Sequence, residues 1–179
     1  MRGRTEQVRK EGIKLKEAVI ELTQGKVSIV GVEDFEQLSK HKWYFHKNGY
    51  AVRNRKKSDG PGSRCIRMHR EILRAPDDLL VDHINGDKLD NRRSNIRLAT
   101  KSQNECNKGP SSLNGSGYRG VSWSKQKRKW HVRVYLDAKC QHVGFFSNIE
   151  EAALAYNEAT KKIHGSFSRE NELVTRNKE

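Results

Sequence analysis

Asp82 and His83 stand side by side directly after an apolar run, Leu79-Leu80-Val81. Asn95 follows twelve residues after His83, and Asn104 nine residues after that. A carboxylate and an amide oxygen are hard donors, suited to Mg²⁺ or Mn²⁺ rather than to a metal that prefers thiolates. A neutral imidazole can take a proton from water. An Asn side chain can hold that imidazole in one tautomer. Brought together, such groups can hydrolyse a phosphodiester, with a metal at the scissile phosphate and leaving oxygen and His83 activating the attacking water. Asp87 and Asp90, in the polar loop between, read as turn formers.

The elements that must position these residues follow from the local pattern. Residues 79–81 form an apolar strand ending at Asp82-His83, and INGDKLDNRRS is a loop. Asn95 to Ala99 alternates again and reads as the returning strand. Thr100 and Gln103 have capping-box spacing for a short helix that Gly109-Pro110 terminates. Asn104 lies near the start of that helix. Adjacent residues at a strand end diverge, so Asp82 and His83 face opposite sides. Upstream, AVIELTQGKVSIV reads as a hairpin with Ala18, Ile20 and Leu22 on one face. EDFEQLSKHK reads as a short helix. A second hairpin turns at Asn48-Gly49. Trp43, Tyr44, Phe45 and Tyr50 are expected to form the core of this small α+β layer.

Asp82-His83, Asn95 and Asn104 in this order resemble the HNH nucleases. DHINGDKLDNRRSNIRLAT more narrowly resembles the HNH homing endonucleases of phage and bacterial mobile introns, whose third motif position is Asn. The resemblance spans roughly residues 66–107, with looser similarity back to about residue 20, and includes MHREIL at 68–73, whose His69 and Arg70 would be phosphate contacts or structural supports. It implies a ββα-metal fold around one divalent cation, Mg²⁺ or Mn²⁺. Asp82 and Asn104 would then be metal ligands, His83 the general base, and Asn95 the residue that orients it.

A Gly-, Pro-, Ser- and Asn-rich stretch, 108–116, marks a linker. Beyond it three strand signals precede one helix. Trp130, Val132 and Val134 alternate with His131, Arg133 and Tyr135. Ser147 and Glu150 have capping-box spacing, and Ile149, Ala152, Ala153, Tyr156, Ala159 and Ile163 make an apolar helix face, with Thr160, Lys161 and Lys162 toward solvent. The expected product is a three-stranded antiparallel sheet covered on one face by a helix. Its open face, with His131, Arg133 and Tyr135, suits a DNA groove. The turn SKQKRK, with Lys127 and Arg128, suits phosphates. YRGV at 118–121, Lys129-Trp130, G-x-F at 144–146 and EEAALAYNEA at 150–159 resemble the Apetala-type, ethylene-response-factor DNA-binding domain of plants, which also occurs fused to HNH nucleases. By position Arg119 matches an arginine that contacts DNA in that family. Arg133, Tyr135, Cys140 and His142 depart from the plant pattern, so the groove-facing role is implied and the plant target sequence is not.

The chain has 179 residues and a formal net charge of +14, spread through the patterned segments. That balance suits a long polyanion. Cys65, Cys106 and Cys140 form no C-x-x-C pair and read as reduced structural thiols. No apolar run suits a membrane span, and the N-terminus lacks a secretory pattern, so a cytoplasmic or, in a eukaryote, nuclear location is expected. The sequence thus predicts an α+β chain in segments: polar residues 1–17, a nuclease domain 18–107, linker 108–116, a DNA-reading domain 117–171 and a polar tail 172–179. The expected partner is double-stranded DNA, and the expected activity is a site-directed, metal-dependent endonuclease of the homing type. A non-catalytic DNA-binding regulator and a non-specific nuclease are the rivals.

Overall fold

A computed structural model describes residues 16–173 except Ser112 and Ala138. Most of the polar N-terminal segment and of the C-terminal tail lies outside the described residues. The fold is mixed α+β, and the chain forms two compact units. The first runs through Ile72 and takes back Lys88–Ser94; the second holds Leu73–Asp87 and everything from Asn95. No helix among the described residues is long and apolar enough to cross a membrane.

In the first unit β1 (Glu17–Glu21) and β2 (Val27–Gly31) form an antiparallel hairpin, with Gln24 and Gly25 left-handed at its turn. Ile20, Leu22 and Val30 are buried. Helix α1 (Val32–Ser39) buries Leu38, whose carbonyl accepts a bond from Trp43 Nε1 at 2.8 Å. β3 (Tyr44–Phe45), β4 (Ala51–Asn54) and β5 (Cys65–Arg67) form an antiparallel sheet in that order. Helix α2 (Met68–Leu73) follows directly. Of the four expected core aromatics Trp43 is buried, while Tyr44, Phe45 and Tyr50 are half-buried.

The returning segment Lys88–Ser94 supplies what the β1–β2 hairpin lacks. Ile29 N–H donates to the Leu89 carbonyl at 2.9 Å, and Asn91 N–H donates to the Ile29 carbonyl at 2.7 Å. Asn91 is fully buried and its Nδ2 donates to Ser28 Oγ at 2.7 Å. Arg92 pairs with Asp90 and Glu17, and Arg93 with Asp34. Asp90 is therefore a buried ion-pair partner as well as a turn residue.

In the second unit β6 (Leu80–His83) and β7 (Ile96–Ala99) pair antiparallel, and α3 (Lys101–Cys106) packs against them. Thr100 and Gln103 form the expected capping box. The helix ends at Asn107, earlier than Gly109-Pro110 predicts. This strand–strand–helix is a ββα unit, with Asp82 and His83 at the end of its first strand.

The C-terminal part of the same unit is the sheet β10–β9–β8, formed by β8 (Val121–Ser124), β9 (Lys129–Leu136) and β10 (Lys139–Phe146). Helix α4 (Ile149–His164) covers one face. Val121, Val132, Val134, Ala152 and Tyr156 form the core beneath it. Two expectations are corrected. Asn148, not Ser147, caps α4, because its Oδ1 accepts from Glu151 N–H at 2.9 Å. Thr160 is buried rather than solvent-facing, because it lies one turn after Tyr156 on the same helix face.

The 108–116 stretch lies inside this second unit, held by its own bonds, such as Ser116 Oγ to the Val121 carbonyl at 2.8 Å. Beyond it the sheet and α4 touch the ββα unit at several points. Ser102 Oγ donates to Asp137 Oδ1 at 2.7 Å. Cys106 Sγ lies 3.3 Å from His164 Nδ1. Burial pushes this thiol up and the imidazole down, so the pair is neutral near pH 7.

Gly120 shows why the Y-R-G-V run needs glycine. Its φ is +72°, and a Cβ there would strike the Tyr156 ring and lie 2.6 Å from the Arg133 carbonyl oxygen. Gly120→Ala is expected to cost roughly 2 kcal/mol or more and lower the melting temperature by about 4–8 °C. Gly25→Ala has the same sign of φ but open space and should cost less. Calorimetry that finds the two variants equal would show that the Tyr156 contact imposes no constraint.

Candidate active site

Asp82 and His83 end β6, and both are buried, at 5% exposure each. Their burial follows from the strand pairing: Asp82 lies opposite Arg97 and His83 opposite Ile96. Asn95 precedes β7, and its carbonyl accepts from Ile84 N–H at 2.8 Å, which brings it to the same end of the hairpin. Its side chain exchanges two bonds with Asn85. Asn95 Nδ2 donates to Asn85 Oδ1, and Asn85 N–H donates to Asn95 Oδ1, each at 3.0 Å. Asn85-Gly86 makes the tight turn there, with Gly86 at φ +79°.

A carboxylate this buried must be compensated. Arg97 Nε donates to Asp82 Oδ2 at 2.9 Å, and Nη2 lies 2.7 Å from the same oxygen. Asn107 Nδ2 donates to Oδ1 at 2.9 Å and to the His83 carbonyl at 2.7 Å. Asn107 is itself buried and is the C-cap of α3. Asn104 sits one turn earlier on α3, half-buried, and its side chain makes no hydrogen bond among the described residues.

Neither Arg97 nor Asn107 was an expected site residue. Period-2 alternation places Arg97 on the strand, but only the register, Asp82 opposite Arg97, reveals the pair. Asn107 carries a weak signal: an Asn just past a helix end is common for capping reasons alone.

The residues expected to contact DNA divide. Arg119 turns away from the open face of the sheet. Its Nη2 donates to the Glu105 carbonyl at 2.7 Å and its Nη1 to the Lys108 carbonyl, so it neutralises the C-terminal end of α3. The Asn171 side chain fixes the Arg119 backbone at both its N–H and its carbonyl. Lys127 and Arg128 are exposed in the β8–β9 turn, with Arg128 left-handed at φ 51°. His131, Arg133, Tyr135 and His142 share the face opposite α4. Arg133 Nη2 is 3.4 Å from Ser122 Oγ.

Phe145 joins this face unexpectedly. A bulge between His142 and Gly144 shifts the register, so that Phe145 faces His131 and His142 faces Arg133. Strict alternation would separate residues 142 and 145 onto opposite faces. Phe145 stacks on His131 with centroids 4.5 Å apart, and His131 Nε2 lies 2.7 Å from His142 Nδ1. The glycine inside the strand was the available signal. Burial first, then the positive charge of Arg133 and then His142, hold the His131 imidazole below its ordinary value.

The residues at 74–106, which include Asp82, His83, Asn95 and Asn104, match the HNH endonuclease family model. A protein of Acanthamoeba polyphaga mimivirus, named as an uncharacterized HNH endonuclease, L560, is 33% identical over 156 residues, covering 84% of this chain and 77% of its own. Protein 3.8 of Escherichia phage T7 is 32% identical over 111 residues, covering 59% of this chain and 91% of its own. No solved structure matches the chain. The chain belongs to the HNH endonuclease family. It is a nuclease, a hydrolase of phosphodiester bonds, and this family generally uses a divalent metal ion. The residues present fit such an ion by donor type: a buried carboxylate and an amide whose side chain is otherwise unbonded among the described residues, on elements that pack together.

Two outcomes follow from these environments. Asn107→Ala strips a buried carboxylate and a carbonyl of their donor and is expected to cost about 2–3 kcal/mol. Asn104→Ala should stay within about 0.5 kcal/mol. Denaturant titrations that rank the two the other way would contradict the anchoring role of Asn107. An NMR titration should place His131 below 6.5, and Arg133→Ala should raise it part of the way back. The sign is that of a depressed folded-state pKa: the stability tied to neutral His131 is full above 6.5 and is lost as pH falls through the folded value. A midpoint at or above 6.5 would contradict the burial argument.

Proposed function

We propose that this chain is a site-directed, divalent-metal-dependent DNA endonuclease of the homing type. The observation that carries the reading is the buried Asp82-His83 end of β6, with Asn95 at the same hairpin end and Asn104 on the helix that packs across it. His83 accepts the proton of the attacking water, and Asn95 orients His83. Asp82 and Asn104 would hold one Mg²⁺ or Mn²⁺ ion. When bound, that ion supplies positive charge at the scissile phosphate and the leaving oxygen.

In this reading residues 18–107 act as the nuclease domain and 117–171 as an ethylene-response-factor type reader of double-stranded DNA. His131, Arg133, Tyr135 and His142 lie together on the uncovered sheet face, with Phe145 adding an aromatic surface among them. Arg133 is the candidate for base readout, since a guanidinium can pair with a guanine edge. Lys127 and Arg128 hold phosphates from the adjoining turn. Arg119 serves by anchoring the reader to α3 rather than by touching DNA.

A second reading, a DNA-binding regulator without catalysis, is favoured by one observation: Arg97 and Asn107 already engage both oxygens of Asp82. Supercoiled plasmid separates the two. Cleavage that requires Mg²⁺, stops with EDTA and falls at least about 10³-fold in His83→Ala is the expected result. DNA binding without cleavage, on plasmid and on a candidate target, would establish the regulator. Cleavage without a preferred site would favour the non-specific nuclease. Arg133→Ala should weaken binding to the preferred site by about 1–3 kcal/mol while binding to random duplex changes little. Equal loss on both would exclude base readout by Arg133.

A further inference from the structure

Arg97 holds two parts of the second unit at once. Facing Asp82 across the hairpin, it places Nε and Nη2 at 2.9 and 2.7 Å from Asp82 Oδ2. Its Nη1 donates to the Ser166 carbonyl at 2.6 Å, and its guanidinium carbon lies 3.8 Å from the centre of the Phe167 ring. Ser166 and Phe167 belong to the short 3-10 turn, Gly165–Phe167, that follows α4. Two residues on, the Arg169 guanidinium approaches the Asn85-Gly86 turn, where a Cβ on Gly86 would meet Arg169 Nη1 at 2.8 Å. The segment after α4 therefore lies along the catalytic hairpin, with Arg97 as its polar fastening.

This arrangement has an electrostatic consequence. Asp82 Oδ1 is taken by Asn107 and Oδ2 by a full positive charge. A divalent cation on Oδ2 would stand within a few ångströms of that guanidinium, and like charges so close, with little water between them, repel strongly. We propose that Arg97 is a positioning residue that competes with the divalent cation for Asp82 Oδ2, so that filling the metal site releases Arg97 and with it the Gly165–Phe167 turn. The proposal rests on the reading of Asp82 as a metal ligand.

Coupling of this kind is reciprocal. Any group that draws Arg97 off Asp82 raises the affinity for the cation. A phosphate of bound DNA has the right chemistry, because a guanidinium pairs with phosphate in the same forked geometry as with carboxylate. DNA that reaches Arg97 would thereby complete the metal site, and the metal site would stay weak on the free protein.

The test needs no cleavage. Mn²⁺ affinity of the full chain without DNA is measured by titration calorimetry, and amide hydrogen exchange is followed at Gly165–Phe167 with and without saturating Mn²⁺. Arg97→Gln is expected to bind Mn²⁺ about tenfold more tightly than wild type, within the range common for coupled sites. Arg97→Lys, which keeps the charge, should stay near wild type. In the wild-type protein Mn²⁺ should speed exchange at Gly165–Phe167. The wild-type exchange measurement stands even if an Arg97 variant fails to fold. Arg97→Gln binding no more tightly than wild type, or exchange unchanged by Mn²⁺, overturns the coupling. Asp82→Asn separates the two levels: if it loses Mn²⁺ while Arg97→Gln gains nothing, only the coupling fails. If Asp82→Asn binds Mn²⁺ as wild type does, the reading of Asp82 as a ligand fails instead.

Discussion

Burying the carboxylate of Asp82 is the constraint around which the second unit is organised. A buried charge is tolerated only when it is paired and its remaining lone pairs are satisfied, and removing one partner of such a pair typically costs about 3–5 kcal/mol. The chain meets this demand from three directions. β7 brings Arg97 by strand register, the end of α3 brings Asn107, and the turn after α4 fixes the far side of Arg97. Each contributor comes from a different element, so the position of one side chain ties hairpin, helix and C-terminal segment into one body. A similar solution recurs in the first unit. There Arg53 is buried between Asp59 and Glu71, and Asn91 is buried against Ser28. In a chain with so few apolar residues, buried polar pairs carry part of the positioning that a larger core would provide.

The sequence was most legible where local chemistry decides structure. The Thr100–Gln103 capping box, the Asn48-Gly49 turn and the alternation of Trp130, Val132 and Val134 against the α4 face could each be read from a few neighbouring residues. The polar residues at the end of β6 were legible as a pattern, since order and spacing alone set them apart. What could not be read depends on partners distant in sequence. Arg97 becomes significant only through register, and Asn107 only because α3 folds back over β6. Arg119 has the right motif position for DNA, but the chain gives its guanidinium to the carbonyls at the end of α3. The burial of Thr160 is hidden for a local reason, since a hydroxyl between Tyr156 and two lysines looks like surface until the helix phase is followed through it.

The open face of the C-terminal sheet shows how one extra residue changes a surface. The bulge at His142 and Gly144 brings two imidazoles and a phenyl ring together beside Arg133. With His131 held neutral by burial and by Arg133, the face presents aromatic edges and a single fixed guanidinium rather than a dense field of charge. The large positive charge of the whole chain therefore does not reside on this face. Lys127 and Arg128, exposed in the β8–β9 turn, can attract a polyanion over distance without specifying sequence.

The path of the chain through the first unit sets an order of assembly. The β1–β2 hairpin finds its third partner only in residues 89–91, after the chain has already passed through β6. As the polypeptide leaves the ribosome, Ile29 therefore waits some sixty residues for the backbone groups that complete its pairing. A cut at Ile72 would not release an autonomous N-terminal domain. Along the chain, β6 lies between two stretches that both belong to the first unit. A gene that exchanged this nuclease for another would have to carry Lys88–Ser94 and the β1–β2 hairpin together, so the smallest inheritable module is longer than the HNH signature itself.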